Sequence, residues 1–334
     1  MAQAFVHTHA SHCESGVMSS LLRHHGLQVS EAMAFGLASA LAFAYLPCIR
    51  INGLPLIAYR MPPRAIVKGL HRQLGLGMRF ETFRRPADGM ARLDALLDAG
   101  ELVGLQTSVF WLPYFPPDLR FHFNAHNLLV YGREGDDYLI SDPVAEAPVR
   151  CARPDLQRAR FAKGVLAPKG LLYYATRAPA EPDWARLGRS ALARTAHIML
   201  HAPLPMIGVR GIRLLARSVE RLPLGDGAET TRLYIGNIVR MQEEIGTGGG
   251  GFRFMYASFL QELSAKTGFA ALDALSARLV VIGDRWREFA LAAARMIRGR
   301  VPLAPPALAE RLRALAADEK RLFQDLHGAE RAWA

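Results

Sequence analysis

The sequence predicts an α+β N-terminal half followed by an all-α C-terminal half, and three observations carry that prediction. Short apolar runs separated by turn residues recur between Leu102 and Thr176. From residue 184 onward every periodic segment is helical. Between them Arg177–Asp183 holds two prolines and reads as a linker. Mixed elements followed by a run of helices suggest a second, all-α domain, so the domains are set at 1–176 and 177–334.

In chain order, Ser11 stands as N-cap of a first helix with Glu14 completing a capping box, which sets the helix at 12–25, stopped by Gly26. Val17, Leu21 and Leu22 bury one face with Met18 beside them. Ser30 or Glu31 opens a second helix. The run Ala32–Ile49 carries no charge and approaches the length of a membrane span. Gly36, Ser39 and Pro47 interrupt it and Glu31 and Arg50 bracket it, so it is read as a helix buried in a soluble core. Residues 62–76 and 88–99 read as helices, the latter with Met90, Leu93, Leu96 and Leu97 on one face and Gly100 as its stop. Strand-like runs follow at Leu102–Val109, His126–Tyr131, Asp137–Ser141 and Gly170–Thr176. The loop Trp111–Phe123, with three prolines and several aromatics, is a wall for an apolar substrate. Helices are expected at 184–201, 205–221, 229–245, 252–266, 270–298 and 306–327.

The 334 residues are 51% hydrophobic and 21% charged, a globular balance able to build one large or two ordinary cores. A net charge of +11 favours acidic partners. The basic residues, nearly all Arg, are scattered rather than interleaved with aromatics in a stripe, which argues against nucleic acid. Three widely spaced cysteines, Cys13, Cys48 and Cys151, do not make a disulfide scaffold. Residues 1–20 lack the charged and apolar regions of a secretory signal. A cytoplasmic protein with no membrane partner is expected.

The chemistry concentrates at Cys13. A thiol in a helix's first turn faces unpaired backbone N–H groups and the positive end of the dipole, both of which favour the nucleophilic thiolate. The segment His126–Asp142 has an apolar run, a polar turn at Arg133–Asp136 and a second apolar run, a hairpin signal. Pairing about Glu134 sets His126 opposite Asp142, about 5 Å apart at Cβ; a slip of one residue would break that geometry. In a Cys–His–Asp set, His126 is the base that takes and returns the proton, and Asp142 fixes the imidazole's tautomer. For the oxyanion, the Cys13 backbone N–H is one donor, with His7, His12 and Asn127 as side-chain candidates. The glycine loop Ile245–Gly251 precedes a helix and offers N–H groups to an anion, with Thr247, Gly248, Arg253 and Tyr256 as candidate substrate contacts, or serves as a hinge. Glu243 and Glu244 join them as candidate cleft-lining residues. The loop lacks the Gly-Lys-Ser/Thr ending of a Walker motif. His7-Thr-His9 with His12 and Cys13 would suit a metal-dependent amidohydrolase, but the chain has no eightfold strand–helix alternation, and no metal is expected.

With His12-Cys-Glu-Ser15, Leu21-Leu-Arg-His-His-Gly26, Ser30-Glu-Ala-Met-Ala-Phe-Gly36, Ala42-Phe-Ala-Tyr45, His126–Asp142 and Ile245–Leu260 in view, the chain resembles the butirosin-biosynthesis protein H (BtrH-like) family over nearly its whole length. The resemblance implies a papain-like N-terminal domain with a helical companion domain. It further implies acyl transfer from the phosphopantetheine thioester of an acidic acyl carrier protein to a small-molecule amine in specialised metabolite assembly. Cys13 is then the nucleophile, His126 the base and Asp142 the orienting acid, and the enzyme itself binds no cofactor. The glutamine usual about six residues before the nucleophile is replaced by His7. Hydrolysis of an amide or thioester on the same fold, and a non-catalytic metabolite-binding module, are the rival functions; a homodimer is compatible with all three.

Overall fold

A computed structural model gives the fold and describes residues 5–51, 53–177 and 181–333. The chain opens with α1 (Cys13–His24) and α2 (Glu31–Leu37), then an antiparallel hairpin of β1 (Leu41–Ile51) and β2 (Leu54–Arg60). It continues through α3 (Ala65–Gln73), β3 (Met78–Glu81), α4 (Pro86–Asp98), β4 (Val103–Thr107), β5 (His126–Glu134), β6 (Asp137–Ser141), β7 (Val149–Ala152), α5 (Arg153–Arg160) and β8 (Leu172–Ala175). Six helices follow: α6 (Trp184–His201), α7 (Gly208–Glu220), α8 (Ala228–Glu243), α9 (Arg253–Thr267), α10 (Ala271–Ile297) and α11 (Pro305–Ala332).

Contacts divide the chain into two units that differ from a single cut after residue 176. One is Met1–Ala34 with Ile66–Pro182, the other Phe35–Ala65 with Asp183–Ala334. The segment Phe35–Ala65 therefore packs with the helices. Of the expected linker, residues 178–180 lie outside the described residues.

The first unit is built on a six-stranded antiparallel sheet in the order β3-β8-β4-β5-β6-β7. Its core joins Met90 and Leu93 of α4 and Leu156 and Ala159 of α5 to Val103, Leu105, Leu128, Val130, Ile140 and Leu172 of the strands. Strands β3 and β7 and helix α5 lie outside the elements expected from the sequence. In the second unit, α11 packs on α6, α7 and α10, and α10 packs on α8 and α9. Phe43, Tyr59, Trp286 and Phe289 cluster there with ring centroids 5.3–6.2 Å apart.

The run Ala32–Ile49 is not one helix. It leaves α2 at Leu37, turns at Ser39 (φ 53) and becomes β1. A continuous apolar run fits a buried strand as well as a buried helix, and pairing with β2 decides the matter. Among the described residues no helix is long and apolar enough to cross a membrane.

The β5–β6 hairpin departs from the expected register in a way that matters for the site. At the turn Glu134 pairs with Asp137 and Arg133 with Tyr138. Carried back unchanged, that register would put Asp142 on the opposite face from His126. A bulge between Val130 and Gly132 takes up one residue, so that Val130 pairs with Ile140 and Leu129 with Ser141. One step further sets Asp142 across from Leu128, two residues along from His126 and on the same face. The two are diagonal neighbours, not direct partners as pairing about Glu134 implied.

Candidate functional site

Helix α1 begins at Cys13, with His12 rather than Ser11 as N-cap. The His12 ring accepts from the Ser15 amide (3.3 Å) and shares a hydrogen bond with the Ser15 hydroxyl (2.8 Å). Cys13 is thus the first helical residue, one place earlier than the capping-box reading. The capping box fails because Glu14 is engaged elsewhere and Glu31 takes the Ser11 amide that Glu14 would have capped. Glu14, wholly buried, accepts from the Ile66 and Val67 amides at the start of α3 (2.9 and 3.2 Å). Glu31 accepts from the Ser11 and His12 amides (3.0 and 2.6 Å). The Cys13 N–H, in the first turn, has no intrahelical acceptor and remains a natural oxyanion donor.

His126 opens β5 opposite Thr107, and Asp142 follows the end of β6. His126 Nε2 lies 2.6 Å from Asp142 Oδ2, both side chains being almost fully buried. That bond occupies Nε2 and leaves Nδ1 as the other ring nitrogen, and Cys13 lies near enough to raise the basicity of the ring. Cys13 itself is 7% exposed. Burial, the largest single influence, opposes charge on the imidazole, but Asp142 and then Cys13 outweigh it and push His126 up to about 10. The arrangement favours a cationic ring beside the sulfur at neutral pH. It can hold a thiolate, move a proton between sulfur, leaving group and attacking group, and keep one tautomer throughout.

Asp142 is fully satisfied. Its Oδ2 also accepts from the Tyr114 hydroxyl (2.8 Å), and Oδ1 from the Val144 amide (3.2 Å). Tyr114 was not singled out in the sequence, although it lies in the proline-rich loop read as a substrate wall. Its neighbour Phe115 meets the His126 ring edge to face, centroids 5.5 Å apart. On the same loop Phe110, Trp111, Pro113, Pro117 and Arg120, with Asp155 and Arg158 of α5, line an open pocket of about 380 Å³. Arg158 lies over the Trp111 ring, 5.3 Å from its centroid.

The remaining candidates are occupied by the fold. His7 Nε2 donates to the Ala145 carbonyl (3.0 Å), which leaves Nδ1 to accept from the Ser141 hydroxyl (2.7 Å). His7 therefore ties the N-terminal segment to the end of β6, with neither nitrogen left for an oxyanion. Asn127 donates to Ala125 O (3.0 Å) and accepts from Tyr173 (3.0 Å). In the second unit, Arg253 and Tyr256 are wholly buried, and Arg253 forms a two-pronged bond with Glu319. Thr247 donates to Gln242 O (2.7 Å) and accepts from the Gly249 amide (3.0 Å), while Gly248 stands exposed. The Gly250 amide donates to the Glu243 carboxylate (3.2 Å). The glycine loop thus closes on its own side chains, and a carboxylate sits where an anion was expected.

One glycine is required for the site to close. A Cβ on Gly16 would fall 2.6 Å from Pro143 Cβ and 2.7 Å from Ala10 Cβ. The Ala10 amide donates to Pro143 O at 2.6 Å, so α1 lies directly against the residue that follows Asp142. Gly16→Val is expected to destabilise the first unit by about 1–3 kcal/mol and to lower activity with it. An unchanged urea midpoint would show that α1 does not approach this closely.

Comparison with known proteins matches two stretches of the chain, whose bounds differ from those of the two units. A family model described as butirosin biosynthesis protein H, N-terminal, matches residues 12–143, which include Cys13, His126 and Asp142. A second, described as a domain of unknown function (DUF4872), matches residues 154–326. No curated protein matches the chain. Among solved structures, one described as a C39-like peptidase from Bacillus anthracis is 12% identical with a TM-score of 0.38, over 53% of this chain and 96% of that chain. The α+β fold class rests on the six-stranded sheet and the helices that follow it. Residues 12–143 are similar to the N-terminal domain of butirosin biosynthesis protein H, and the chain belongs to the DUF4872 family, whose model matches just over half of its length.

Proposed function

We propose that this protein is a cysteine acyltransferase, taking an acyl group from the phosphopantetheine thioester of an acyl carrier protein and giving it to an amine or other nucleophile. The observation that supports this reading is the chain of contacts Cys13, His126 Nε2–Asp142 Oδ2 at 2.6 Å, with the sulfur at a helix start. The Cys13 thiolate attacks the thioester carbonyl, and the expelled pantetheine thiol takes its proton from the His126 imidazolium. The acceptor amine then attacks the acyl-enzyme, His126 takes the amine's proton, and the Cys13 thiolate leaves. Asp142 holds the ring and stays ionised. A thioester is already activated, so orientation and the Cys13 N–H supply most of what remains. The net charge of +11 suits an acidic carrier protein. The family name, which speaks of butirosin biosynthesis, supports a place in metabolite assembly.

Mixing the protein with acyl-loaded carrier protein and no acceptor should add the acyl mass to Cys13, located by intact mass and peptide mapping. Adding amines should discharge the adduct into an amide. Discharge by water at the same rate with and without amines would make the protein a hydrolase. Absence of any adduct across a panel of acyl groups, with Cys13 alkylating no faster than Cys48, would leave a binding module.

A further inference from the structure

Asp142 receives three hydrogen bonds, and acyl transfer as described above uses only the one from His126. Tyr114 donates to Oδ2 at 2.8 Å, the same oxygen that receives His126 Nε2 at 2.6 Å. Tyr114 comes from the loop between β4 and β5, and the peptides on either side of it are held in place. Arg120 Nε donates to Phe115 O at 2.8 Å, and its Nη2 to Pro113 O at 3.4 Å. Phe115 then covers the His126 ring. The phenol is thus delivered to one carboxylate oxygen by a loop whose backbone is pinned before and after it.

We propose that Tyr114 is a positioning residue that shares the Asp142 carboxylate with His126 and thereby limits how tightly that carboxylate holds the imidazolium. The inference rests on the reading of Cys13, His126 and Asp142 given above. A hydrogen bond donated to a carboxylate stabilises its negative charge, so less of that charge is available to the ring. Without Tyr114, Oδ2 would bind the imidazolium more strongly, and the imidazolium would give up its proton less readily to the leaving group. The bond also fixes the plane of the carboxylate, with Oδ2 on the Nε2 side and Oδ1 on Val144. The other groups that face this cluster are Cys13 from α1, Cys151 from β7, and Tyr173 from β8, which senses Cys13 and Glu14. Burial, with Asp155 and Asp137, pushes the Cys151 thiol up to about 12, so it is uncharged. The Tyr114 phenol is itself raised well above its ordinary value, by burial first and by Asp142 second, and stays a donor at neutral pH.

The test needs no substrate. In a Cys48→Ser background, which removes the exposed thiol, carboxymethylation of Cys13 by iodoacetate is followed against pH by intact mass. The anionic reagent is drawn by the imidazolium, so its rate falls as pH rises through the His126 pKa. Tyr114→Phe should move that fall upward by about half a pH unit, while Asp142→Asn moves it downward by more than about one unit. In an Asp142→Ala background, Tyr114→Phe should move nothing further. If Tyr114→Phe leaves the fall in place while Asp142→Asn still lowers it, Tyr114 has no such role and the triad reading stands. If neither variant moves it, the triad reading itself goes. An equal shift in the Asp142→Ala background, or loss of cooperative unfolding in a variant that keeps the ring, also overturns the proposal, because the hydroxyl would then be a structural support.

Discussion

Cys13→Ala is expected to lower acyl transfer by at least about 10³-fold while the chain unfolds within about 1 kcal/mol of the parent. The substitution removes a sulfur from a small, almost fully buried side chain and leaves the His126–Asp142 bond in place. Transfer measured by mass spectrometry of the acceptor, alongside urea unfolding, separates the two effects. The two other thiols do not substitute for it. Cys151 is buried and held protonated by burial and neighbouring carboxylates, and Cys48 lies on the exposed part of β1 in the other unit. Transfer that persists in Cys13→Ala removes the covalent mechanism. A collapse of stability instead would make the sulfur a packing element.

The second large effect concerns stability alone. Arg253 and Glu319 are both fully buried, joined through Nε to Oε1 (2.9 Å) and Nη2 to Oε2 (3.0 Å). Trp286 Nε1 donates to the same Glu319 Oε1 (2.7 Å), and Arg253 Nη1 donates to Gly251 O (2.7 Å). The guanidinium also lies over the rings of Tyr59 and Trp286, 5.6 and 5.2 Å from their centroids. Glu319→Ala leaves an unpaired buried cation and an unsatisfied indole, and is expected to cost about 3–5 kcal/mol. Glu319→Leu with Arg253→Met replaces the pair by apolar volume and should recover most of that loss. Urea unfolding of the full chain decides it. A loss below about 1 kcal/mol in Glu319→Ala would mean that water reaches the pair.

The sequence carried the site's membership better than its geometry. The helix starts within one residue of the expected place, although His12 and not Ser11 caps it, and a hairpin is written into two apolar runs around a polar turn. Register is a different kind of information. The turn closes on Gly135-Asp136, with Gly135 at φ 59, and the compensating bulge sits four residues earlier at Tyr131, where Gly132 beside it is the local hint. The first strand was lost for the opposite reason. Its apolar run has no period to read, and the local sign of a hairpin there is the pair Asn52-Gly53 between Ile51 and Leu54. Tyr114 and the Arg253–Glu319 pair were out of reach, because nothing local says that a loop phenol meets a carboxylate 28 residues on, or that a guanidinium and a carboxylate 66 residues apart form an ion pair.

The bulge at Tyr131 sets an arithmetic for the β5–β6 ribbon. Strand faces alternate with every residue, so the imidazole and the carboxylate meet only while the length between them keeps one parity. A single residue inserted into or deleted from a paired strand, and not taken up by the turn or a new bulge, would turn the acid away from its base. Loss of activity in this protein can therefore come from a change in length alone, with every reactive side chain still in place.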